Sequence, residues 1–84
     1  MNNLEQLKKK ILFRSSHRGM KEMDLILSKF VKKYINKFNF KELNELNQLL
    51  YIDDSTLFRW YLKKKIKTKI PINKVSNLLK KFKL

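Results

Sequence analysis

Residues 20–37, MKEMDLILSKFVKKYINK, decide the fold class. Met20, Met23, Leu27, Phe30, Val31 and Tyr34 stand at offsets of 0, 3, 7, 10, 11 and 14, which places them on one face of a helix. The lysines between them fall on the other faces. The alternation of period two that a half-buried strand requires is sustained nowhere in the chain, so the same reading extends outward in both directions.

Toward the N-terminus, a helix over about Leu4 to Phe13 carries Leu4, Leu7, Ile11 and Leu12 on one stripe. Ser15 to Gly19 interrupt it, the serines through local backbone bonds and Gly19 through its access to positive φ. Toward the C-terminus, Asn36 to Asn39 end the decisive helix. Asn39 and Glu42 have the spacing of a capping box, which opens a helix over about Phe40 to Leu50 with Leu43, Leu46, Leu49 and Leu50 inward. Asp53 and Asp54 together cap a helix over about Ser55 to Lys64. Its Leu57, Phe58, Trp60, Tyr61 and Leu62 are too many for one narrow stripe, so some remain partly exposed. Arg59 on that helix is read as solvated, and Lys63 to Lys69 as a basic connector, either a solvated loop or an electrostatic patch for an anionic partner. Pro71 blocks simple helix continuation, and Asn73 caps a last helix bearing Val75, Leu78, Leu79 and Phe82. The expectation is an all-α, compact five-helix bundle of antiparallel neighbours, a single domain over residues 1–84.

Composition narrows the function. A chain of 84 residues buries only about 60% of its unfolded surface, too little for a deep enzyme cleft. It has no cysteine and one histidine, and its seven carboxylates show no metal-ligand spacing. A nucleophile–base pair and a phosphate-binding loop are likewise missing, so an enzyme is set aside. The first ten residues lack the apolar stretch of a secretory signal and the Arg- and Ser-rich character of an organelle leader. The expectation is a cytoplasmic, bacterial chain, and no run approaches the roughly 20 apolar residues that span a bilayer. The formal charge of +14 has two readings. It suits nucleic acid or an anionic membrane face, or it reflects a genome rich in A and T, since Lys, Asn and Ile supply 18, 8 and 7 residues.

Against that lysine background, residues 14–24, RSSHRGMKEMD, hold the only glycine, the only histidine and two of the three arginines. Arginine presents a planar fork of donors that lysine cannot imitate. With Glu22 and Asp24 close behind, the segment carries both signs of charge and reads as a recognition surface.

Arg18-Gly19-Met20-Lys21-Glu22, preceded by Arg14 and His17 and followed by Asp24, resembles the Arg-Gly-x-x-Glu hallmark of the SdhE family, small FAD assembly factors of succinate dehydrogenase. A second block, from Leu49-Leu50 through Asp53-Asp54 to Leu57 and Trp60, is similar to the same family in order and spacing. The resemblance covers about Leu7 to Leu62. It implies a five-helix assembly chaperone that binds the flavoprotein subunit of succinate dehydrogenase, and in some bacteria of fumarate reductase, and promotes covalent FAD attachment. The bond-forming chemistry would be autocatalytic in the partner, with no cofactor held stably by the small chain.

On that reading Arg18, Gly19, Glu22, Arg14, His17, Met20 and Asp24 are the partner-binding residues, and none is catalytic. Arg18 and Glu22 would make charge-assisted bonds while Gly19 admits the partner's surface; alternatively Glu22 caps its own helix and pairs with Arg18. His17 is a contact or turn residue. Asp24 reaches the partner or pairs with Lys21, Arg14 joins the patch or ends the first helix, and Met20 starts the core stripe or adapts to a bound surface. Phe58, Trp60 and Tyr61 are read as core. A small basic helical nucleic-acid binder is the competing function.

Overall fold

The computed structural model describes residues 3–84 as five helices: α1 (Asn3–Ser16), α2 (Lys21–Tyr34), α3 (Phe40–Leu49), α4 (Asp54–Tyr61) and α5 (Lys74–Lys81). Residues 1 and 2, at the head of the stretch read above for a leader, lie outside the described residues. α1 packs on α2 and α3, α5 packs on α3 and α4, and α2 meets α4. The radius of gyration, 12.1 Å, matches the roughly 12 Å of a compact chain of this length.

The decisive stripe is the centre of the core. Met23, Leu27, Phe30 and Val31 are fully buried, joined by Ile26, while Met20 and Tyr34 pack at its edges. Leu43, Leu46 and Leu49 of α3, Leu57 of α4, and Val75 and Leu79 of α5 close around it. Each such side chain contributes about 1.5–3 kcal/mol relative to leaving it in water. Phe58, Trp60 and Tyr61 are only partly buried and rest against the core's margin.

Two expectations for α1 need correction. Ser15 and Ser16 do not break the helix; their hydroxyls donate back to the Leu12 carbonyl at 3.0 and 2.9 Å, and α1 runs on to Ser16. Its buried stripe is Leu7, Ile11 and Ser15, a narrow line of spacing four, so Leu4 and Leu12 stay exposed. A helix at the edge of a bundle buries one line of contact rather than a broad face.

The capping expectations hold for α3 and α5. Asn39 Oδ1 accepts from the Glu42 N–H and Glu42 returns a bond to the Asn39 N–H, while Asn73 and Ser76 form the equivalent pair. α4 ends at Tyr61, three residues before the expected Lys64. The Lys63 N–H bonds to the Trp60 carbonyl and the Lys64 N–H to the Arg59 carbonyl. This is a Schellman closure with Lys63 at φ 62°, the left-handed seat that glycine usually fills. Phe82 lies just past α5, in extended conformation, and sets its ring edge-on to Phe30 at 5.3 Å. Tyr61 Oη donates to the Phe82 carbonyl, tying α4 to the last segment.

Candidate functional site

Arg18 sits in the bend between α1 and α2, with its side chain only 9% exposed. Its guanidinium points inward, at the connection between α3 and α4. Nε donates to Asp54 Oδ1 at 2.6 Å, Nη1 to the Leu50 carbonyl at 2.7 Å and, more weakly, to the Arg14 carbonyl at 3.4 Å, and Nη2 to the Ile52 carbonyl at 2.8 Å. Carbonyls at the end of α3 have lost their helical donors, and a cation there also complements the helix dipole. An ammonium group has no planar fork with which to span these acceptors.

Asp54 completes the clasp. While Oδ1 takes the arginine, Oδ2 accepts the Met20 N–H at 2.9 Å. Met20 is the N-cap residue of α2 and offers no capping side chain of its own. The carboxylate that ordinarily comes from the third helical residue of a capping box is here supplied across the fold. The two consecutive aspartates have therefore divided their work, contrary to the expectation that both cap α4. Asp53 alone does so, accepting from the Thr56 N–H at 3.0 Å, and that bond holds its carboxyl below its ordinary value of 3.8.

This arrangement removes Glu22 from any capping duty. Glu22 is exposed in the first turn of α2, without a side-chain partner among the described residues, and Arg18 pairs with Asp54 rather than with it. Gly19 is exposed beside it. Its φ is not positive, so the conformational reason expected for glycine does not apply. A Cβ built there would meet only Asp54 Oδ2, at 3.9 Å, an ordinary van der Waals contact. The chain's own fold does not demand glycine at this position.

The neighbouring residues form a rim. His17 stacks on Phe13 with ring centroids 4.2 Å apart, and its Nδ1 lies 2.9 Å from the Phe13 carbonyl. The same nitrogen lies 3.1 Å from the Ser16 hydroxyl, so the His17 ring sits against the last turn of α1. Arg14 lays its guanidinium 4.0 Å above the exposed ring of Tyr51. Asp24 does not pair with Lys21; its Oδ1 is buried and lacks a hydrogen-bond partner among the described residues. Met20 packs against the core rather than presenting a free thioether.

The structure thus gathers Arg14, His17, Arg18, Gly19 and Glu22 around the bend between α1 and α2, with Asp24 in the same first turn of α2 as Glu22. Arg18, expected among the contact residues, directs its donors into the chain. Asp54 and Tyr51 were missed as parts of this site. The doubled aspartate was the available signal, since one helix needs a single capping residue. Among the described residues, no group of three or more His, Asp or Glu side chains could hold a metal ion, and no helix is long and apolar enough to cross a membrane.

The chain is thus a small all-helical bundle whose bend between α1 and α2 is held by the Arg18–Asp54 ion pair, with Gly19 and Glu22 exposed on its outside. The chain belongs to the family described as flavinator of succinate dehydrogenase, whose model matches residues 9–83. It is similar to the mitochondrial succinate dehydrogenase assembly factor 2 of Dictyostelium discoideum, with 41% identity over 64 residues that cover 76% of this chain and 45% of the relative. The protein of the same name from Scheffersomyces stipitis is 37% identical over 68 residues, covering 81% and 46%. Assembly factor 2-B of Drosophila melanogaster is 41% identical over 59 residues, covering 68% and 38%. The chain spans less than half the length of these relatives. No solved structure matches it. The expectation of a bacterial cytoplasmic chain is corrected here, because these relatives are named mitochondrial proteins of eukaryotes.

Proposed function

We propose that this chain is an assembly factor, not an enzyme, that binds the flavoprotein subunit of succinate dehydrogenase and promotes its covalent flavinylation in the mitochondrion. Family membership favours this reading over nucleic-acid binding. The observation that carries it is Gly19, a glycine that its own backbone and packing do not require, held open by the Arg18–Asp54 clasp next to an unpartnered Glu22. A residue kept bare for no internal reason is explained by the close approach of another surface. Glu22 then supplies a charge-assisted acceptor to donors on the partner, and His17 and Arg14 extend the contact.

No catalytic atom from this chain is needed. A helper that binds preferentially the conformation holding flavin and acceptor side chain in register raises the rate by orientation and by shifting a population. The flavin and the bond-forming chemistry belong to the partner.

The test is co-expression of the flavoprotein subunit with the chain or its variants, followed by in-gel flavin fluorescence of the denatured subunit. Glu22→Ala and Gly19→Leu are expected to lower covalent flavin severalfold while the isolated variants melt within a few degrees of the parent. Gly19→Ala, which the fold accommodates, should melt like the parent as well. Unchanged fluorescence with Glu22→Ala and Gly19→Leu would refute the proposal.

A further inference from the structure

We infer that a groove at the far end of α4 is a second docking site, for an acidic polypeptide segment that also carries aliphatic side chains. The Arg18 clasp holds the first residue of α4, and the groove opens beyond its last turn, about 12 Å away along a helix of eight residues. Its volume is about 830 Å³. Ile26 of α2, Leu62 and Leu84 supply an apolar lining, and Leu62 and Leu84 are 44% and 63% exposed. Lys63, Lys80, Lys81 and Lys83 surround them, with no acidic side chain in the wall.

Lys63 provides an independent reason to regard these lysines as placed. It is the one non-glycine residue with positive φ among the described residues, in a seat where glycine removes the strain. A strained backbone position whose side chain lines a groove is a reason to look for function. The lysines ask for an anionic occupant and the lining for aliphatic groups. A nucleic-acid backbone would satisfy the lysines but leave the aliphatic lining uncovered. A bilayer surface does not enter a concavity. An acidic segment with interspersed leucine or isoleucine meets both demands.

The probe is a fluorescent helical peptide of leucine and glutamate, titrated with the full chain at physiological salt and read by anisotropy. Lys81→Glu with Lys83→Glu is expected to weaken binding about tenfold. The same charge change at Lys10 and Lys41, which do not line the groove, should weaken it less than about threefold, as screening predicts for charges off the site. Lys63→Gly should lower the affinity while raising Tm by about 4 °C, a combination that general destabilisation cannot produce. Equal loss from both double variants would overturn the proposal. So would equally tight binding of a polyglutamate peptide, or tighter binding of a single-stranded oligonucleotide or of phosphatidylserine vesicles at the groove lysines. These outcomes are independent of the flavinylation test, which reads residues at the opposite end of α4.

Discussion

Arg18 and Glu22 share one short motif yet have opposite physical situations. Arg18 is largely enclosed in a network with one carboxylate and three carbonyls, whereas Glu22 faces solvent. Arg18→Ala would strand the Asp54 carboxylate, with its side chain 16% exposed, and orphan the carbonyls of Leu50 and Ile52. We expect a loss of about 3 kcal/mol in denaturant unfolding, the usual cost of breaking a largely buried pair from one side. Arg18→Lys should recover little of it, because an ammonium cannot reproduce the fork. Glu22→Ala should change stability by less than about 0.5 kcal/mol. Comparable losses from Arg18→Ala and Glu22→Ala would mean that the clasp is not the structural element described. The sequence marked Arg18 as unusual through its rarity. It did not reveal the direction of its donors, since Asp54 lies 36 positions away and no local pattern connects them.

At the scale of elements, the helices were legible where apolar periodicity and capping chemistry agree. α3 illustrates this: its capping box and leucine stripe place both its start and its inward face. Glu42 also links elements, because Oε2 lies 3.0 Å from Lys74 Nζ at the start of α5 while Oε1 caps α3. The Asn39 N–H, and then the Lys74 ammonium, hold its carboxyl below the ordinary value of 4.5. A carboxyl depressed in the folded state stabilises that state at pH above 4.5, and the contribution disappears as pH falls through the lowered folded value. Glu42→Gln should therefore melt below the parent at neutral pH, and the gap should narrow as pH falls below 4.5, as the parent loses what the variant lacks. A gap that stays constant with pH would contradict this assignment. The ends of α1 and α4 were less legible. Serine back-bonding continues α1 past its expected end, and the Schellman closure at Lys63 stops α4 although the apolar run continues to Leu62.

Over the whole molecule, a net charge of +14 on so small a body opposes its own compaction. Raising salt from low to physiological concentration should therefore raise Tm by roughly 4 °C, about 1 kcal/mol for a domain of this size. A fall in Tm would mean that exposed ion pairs outweigh the repulsion. Charge did not identify the function; two spaced motifs did, and the family match agrees with them. The sequence by itself determined the all-α class, five helices and most of the aliphatic core, and it singled out residues 14–24 as a candidate site. These are local properties, set by side-chain periodicity and by caps that act within three or four residues. Only the tertiary structure decided that Arg18 grips Asp54, that Asp54 caps α2 from across the fold, and that Gly19 is bare for no internal reason. It also decided that a lysine-rimmed groove opens at the other end of α4. Each of these joins residues distant along the chain, and their meeting depends on how the helices pack rather than on any pattern within one of them.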